Sequence, residues 1–88
     1  MAVILYVIKG SSTGKRYVGI TGDLKRRLRE HAAAMSKAGQ LLGAFSLLHT
    51  EEFPDHSSAR EREQFLKSGQ GRKWLDELER GHRITGSG

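Results

Sequence analysis

The stretch Ala2-Val3-Ile4-Leu5-Tyr6-Val7-Ile8 decides the architecture. It is rich in β-branched and aromatic residues and lacks polar alternation, which predicts a strand covered on both faces, the centre of a sheet. Gly10-Ser11-Ser12-Thr13-Gly14 supplies turn chemistry, and Lys15-Arg16-Tyr17-Val18-Gly19-Ile20 follows as a second strand, so the chain opens on a β-hairpin. With Ser11-Ser12 at the tip, residue 6 stands opposite residue 17 and both tyrosines emerge on one face.

Downstream the period changes. Leu24, Leu28, Ala32 and Met35 recur at helical spacing from Asp23 to about Lys37, with Thr21 or Asp23 to cap the start and Gly39 to stop the end. Ala44-Phe45-Ser46-Leu47-Leu48-His49 reads as a third short strand, bounded by Pro54 and Asp55. Ser58 and Glu61 have capping-box spacing for a second helix that runs to Lys67 and stops at Ser68-Gly69. Gly71 separates a third helix, in which Trp74, Leu75 and Leu78 form the inward stripe while Asp76, Glu77, Glu79 and Arg80 face water. The expected fold is α/β, a small three-stranded sheet with helices packed on it. One domain is expected over 1–80, followed by a loose tail over 81–88.

Composition narrows the function. Lys plus Arg is 15 against 10 for Asp plus Glu, a formal charge of +5 that suits an anionic partner, nucleic acid first. The absence of cysteine excludes disulfide scaffolds, thiolate zinc sites and thiol nucleophiles, and fits a reducing compartment, the cytoplasm by default. The longest apolar run, Ala2 to Ile8, is far below the ~20 residues a bilayer span needs, so no membrane role is expected. A chain this small buries about 60–65% of its unfolded surface, which favours a shallow site and disfavours a deep cleft for an organic cofactor.

The candidate chemistry lies in five residues. Gly19 shares the face of Tyr6 and Tyr17 and leaves room for a bulky group to approach the sheet. Arg27 and His31, one helical turn apart, border the Leu24 and Leu28 stripe, where an arginine is placed to meet an anion in a groove. Glu63 falls on the core-facing side of the second helix and needs a partner, either an arginine or a divalent cation. Together, two phenols, an arginine, a histidine and a glutamate are the parts for phosphodiester hydrolysis. A hard metal on Glu63 would neutralise phosphate charge, Arg27 would grip the phosphoryl oxygens, and a phenol or imidazole would take the proton from water. Lys15, Arg16, Arg26, Arg29, Lys67, Arg72 and Lys73 could track phosphates. His49, His56 and His82 lack metal-ligand spacing and are expected on surfaces or loops.

Ile4-Leu5-Tyr6, Tyr17-Val18-Gly19, Asp23-Leu24, Arg26-Arg27-Leu28 and Glu30-His31 stand in an order and spacing that resemble the GIY-YIG nuclease superfamily, particularly its small stand-alone URI-type bacterial members. The likeness continues through Arg62-Glu63-Gln64-Phe65-Leu66-Lys67-Ser68-Gly69 and Gly71-Arg72. It implies a central three-stranded antiparallel sheet flanked by helices and metal-dependent cleavage of DNA with Mg²⁺ or Mn²⁺. The positions matching family functional residues are Tyr6, Tyr17, Arg27, His31 and Glu63. The resemblance makes Glu63 the metal ligand, Arg27 the phosphate holder and Tyr17 a favoured base, with His31 the other candidate. DNA contacts are expected at Lys15, Arg16, Gly19, Arg26, Lys67, Arg72 and Lys73. Two departures stand out: Ile4 replaces the glycine of the first half-motif, and 36–45 lacks the basic Thr, Arg and Pro-containing loop common in URI-type relatives. The second motivates two other readings, a non-catalytic binding module on the same fold, or a domain that relies on a targeting protein partner.

Overall fold

The computed structural model describes residues 2–33 and 43–85, the side chains of 81–85 excepted. The continuation of the first helix to Lys37, Met35, the Gly39 stop and most of the unusual 36–45 segment lie outside the described residues. So do the side chains of the expected tail.

Strand β1 (Val3–Gly10) is the middle of a three-stranded antiparallel sheet of order β2-β1-β3, with β2 (Arg16–Thr21) and β3 (Phe45–Phe53) at its edges. Its unbroken apolar sequence is explained by packing on both faces. Leu5 and Val7 point to one core with Val18, Leu66 and Leu75, while Tyr6 and Ile8 point to the other with Tyr17, Leu24, Leu28 and Phe45. Helix α1 (Leu24–Ala32) covers the tyrosine face. Helices α2 (His56–Lys67) and α3 (Gly69–Thr85) cover the opposite one.

The hairpin register differs from the expected one by two residues: Tyr6 pairs with Gly19, and Tyr17 with Ile8. The connection is longer than a tip at Ser11-Ser12 allows, because the Gly10 N–H donates to the Lys15 carbonyl at 2.8 Å and Gly14 takes a positive φ of 73°. A slip of two preserves the face of every side chain, so both tyrosines remain on one side. Strand β3 runs four residues past its expected end. A bulge helps: Ile8 pairs with Leu47 but Val7 with His49, which places Phe45 on the α1 side and His49 on the side of α2 and α3.

Both later helices begin earlier than expected. Asp55, not Ser58, caps α2, its Oδ1 accepting from the Ser58 N–H at 2.8 Å, which is the geometry of an Asp N-cap after proline. Gly71 does not interrupt α3 but lies buried within it. A Cβ there would fall on the Phe65 carbonyl oxygen and the Leu66 backbone, so the glycine permits the close contact of α2 with α3. Glu79 and Asp76, expected to face water, clamp the hairpin to α3. Glu79 meets Lys9 and Arg16, each at 2.7 Å, and Asp76 meets Arg16 at 2.7 Å. His49 lies in the third strand as expected, but it is not a plain surface residue: its Nε2 lies 2.8 Å from Glu51, its ring packs edge-on to Trp74, and Arg62 bridges Glu51 and the Trp74 face.

Candidate active site

The site grows from the pairing of Tyr6 with Gly19. A side chain at position 19 would occupy the place of the Tyr6 phenol, since a Cβ there would come 2.6 Å from its hydroxyl oxygen and 3.0 Å from Cε2 of Tyr17. The open space over Gly19 is therefore filled by the protein's own two rings, and Gly19 is buried beneath them. Their centroids are 6.2 Å apart.

Helix α1 brings His31 and Arg27 onto this pair. Asp23 caps its first turn through a hydrogen bond from the Arg26 N–H to Oδ1, and the Leu24 and Leu28 stripe then fixes its rotation over the sheet. His31 is 1% exposed, and its Nε2 lies 2.8 Å from the Tyr6 hydroxyl. Its ring is 5.4 Å from that of Tyr17, and Phe45 packs edge-on behind it at 6.1 Å. Arg27, one turn earlier, interacts with the hydroxyls of both Tyr6 and Tyr17 and pairs with Glu30 at 3.0 Å.

Electrostatics follow from this burial. Desolvation pushes the Tyr6 phenol above its ordinary pKa, opposed by the Arg27 guanidinium. Contact with Tyr6 and Glu30 holds Arg27 firmly protonated. Burial, reinforced by the Arg27 charge, lowers the pKa of His31, so the imidazole is neutral at pH 7.

Glu63 joins the group through Lys67. Its carboxylate, with the side chain 18% exposed, is 3.1 Å from the Lys67 ammonium, which in turn sits 6.0 Å from the centre of the Tyr17 ring. Tyr17 and Lys67 also line a cleft of about 590 Å³ with Lys15, Arg16 and Arg72 on its rim and Val18, Leu66 and Leu75 on its floor. Among the described residues no three His, Cys, Asp or Glu side chains converge into a complete metal cage. A single, largely desolvated carboxylate fits a hard divalent ion that keeps water and phosphate oxygens in its shell.

Tyr6, Tyr17, Arg27 and His31 thus form one cluster in direct contact, with Glu63 linked to it by one ammonium. Of the basic residues considered for DNA contact, Lys15, Lys67 and Arg72 line the cleft, as does Arg16, whose guanidinium is taken by Asp76 and Glu79. Arg26 is an exposed partner of Glu30, and Lys73 is exposed on α3. Two further participants emerge from the structure: Glu30, readable from its i,i+3 spacing to Arg27, and Lys67 as the partner of Glu63, readable from i,i+4 spacing. Phe45 behind His31 carries no such signal, because a bulge sets its face.

The family model of the GIY-YIG catalytic domain matches residues 2–75. The solution NMR structure of a UPF0213 protein from Bacillus halodurans is similar at 30% identity, covering 89% of this chain and 85% of that one with a TM-score of 0.55. No curated protein matches significantly.

Proposed function

The chain belongs to the GIY-YIG family, a nuclease family, and on that premise we propose that it is a metal-dependent endonuclease that hydrolyses DNA phosphodiester bonds. The observation that carries this reading is the Tyr6, Tyr17 and His31 cluster, with Arg27 one turn before His31 on α1 and Tyr17 also lining the cleft.

In this reading the buried residues position and the partly exposed ones react. Tyr6, 1% exposed, hydrogen-bonds to His31 and helps hold Arg27 in place. His31 is equally buried, which disfavours it as the group that meets water. Tyr17 is partly exposed and borders the cleft, so it is the proposed general base. Arg27 keeps donors for the phosphoryl oxygens. Glu63 would hold Mg²⁺ or Mn²⁺, which when bound supplies charge neutralisation at the phosphate and at the departing oxygen. Lys15, Lys67 and Arg72 would then grip the DNA backbone along the cleft, without base-edge readout, so selectivity would come from DNA structure.

The test is incubation of the purified chain with single-stranded, nicked, branched and duplex DNA in Mg²⁺ or Mn²⁺. Cleavage that EDTA stops, and that Tyr17→Phe loses while still binding DNA, is the expected result. Salt-sensitive binding without cleavage of any DNA form would make the chain a binding module instead.

A further inference from the structure

We propose, resting on Glu63 as the residue that meets a divalent cation, that Lys67 is the resident counter-cation of that carboxylate and must leave it before metal binds. The ammonium occupies the position a cation would seek, 3.1 Å from Oε2 of Glu63 and 6.0 Å from the Tyr17 ring centre. The two side chains differ in freedom. Glu63 is 18% exposed and needs a positive partner when no metal is present, whereas Lys67 is 53% exposed and can swing away on its flexible stem. An ammonium and a divalent ion at one carboxylate repel each other, so the two compete.

The structure also provides a destination for the displaced group. Lys67 lines the cleft beside Tyr17 together with Lys15 and Arg72. A phosphate entering there attracts the ammonium away from Glu63 and exposes the carboxylate for the metal. DNA and metal then bind with positive coupling, each raising the affinity for the other by the same factor. In the DNA-free protein the carboxylate is masked, and Lys67 acts as a positioning residue without itself touching the reacting atoms.

The experiment is Mn²⁺ titration of the full chain without DNA, by calorimetry and by electron paramagnetic resonance of free Mn²⁺, on wild type, Lys67→Met, Lys67→Gln and Glu63→Gln. Circular dichroism checks that each variant is folded. Both Lys67 variants are expected to bind Mn²⁺ on the order of tenfold more tightly than wild type, and Glu63→Gln to lose the site. Equal or weaker binding by the Lys67 variants, with loss in Glu63→Gln, overturns the role of Lys67 and leaves Glu63 as the ligand. Binding indifferent to Glu63→Gln, or absent from every chain, overturns both.

Discussion

The Tyr6 hydroxyl stands 2.8 Å from Nε2 of His31, and both side chains are 1% exposed. A polar pair so fully withdrawn from water is stable only while the imidazole stays neutral, because a proton on His31 would be added next to the Arg27 charge in a desolvated site.

That arrangement sets a pH dependence. The pKa of His31 is lower in the folded protein than the unfolded value of about 6.5, so the unfolded chain binds more protons as pH falls. Stability is complete above ~6.5 and declines below it until the folded pKa is passed, by at most about 1.4 kcal/mol per pH unit. The lowered pKa values of Glu51 and Glu79 act in a separate window, below the ordinary carboxylate value of 4.5. Urea unfolding between pH 7 and 5 should show the decline in wild type and a flatter profile in His31→Gln. Identical profiles would contradict the assignment.

Gly19→Ala should be costly although it adds one methyl. The new Cβ meets the Tyr6 hydroxyl, which is buried against His31 and has nowhere to retreat. Overpacking of this kind costs about 1–3 kcal/mol. Denaturant unfolding should register that loss, and DNA cleavage should fall by at least about tenfold as both phenols shift.

Arg16 and Arg72 should separate structure from DNA contact. Arg16→Met breaks the contacts with Asp76 and Glu79 and should lower stability by roughly 1–2 kcal/mol after allowing for solvent screening, with little change in the salt dependence of DNA binding. Arg72→Ala should leave stability nearly intact and reduce the salt slope by about 0.7–0.9 for one lost phosphate contact. Reversed outcomes would place the DNA on the other arginine.

How much of this is legible in the chain itself depends on whether a signal is local. The uninterrupted apolar run Ala2 to Ile8 identifies the central strand, and the shared face of Tyr6 and Tyr17 survives the register difference because the slip is an even number of residues. Helix α1 is readable at its start because Leu24 and Leu28 recur with an Asp cap before them. The extension of β3 through Thr50-Glu51-Glu52 is hidden, since polar residues on an edge strand look like a loop until Arg62 is seen to neutralise Glu51. Gly71 reads as a break because its role depends on a neighbouring helix, and Glu79 reads as solvated because its partners Lys9 and Arg16 are distant in sequence. The five candidate residues are visible in the sequence and its family resemblance. That Tyr6 and His31 are sealed while Tyr17 borders the cleft is a property of packing alone.

Glu63 is the residue on which the proposed DNA hydrolysis depends, and the most direct measurement is the rate at which wild type and Glu63→Gln cut a labelled branched DNA in Mn²⁺, with folding checked by circular dichroism. Glu63→Gln is expected to fold normally and to cut roughly a thousandfold more slowly, about 4 kcal/mol of barrier. A folded Glu63→Gln chain that cuts at the wild-type rate with the same metal requirement would contradict the role assigned to this carboxylate.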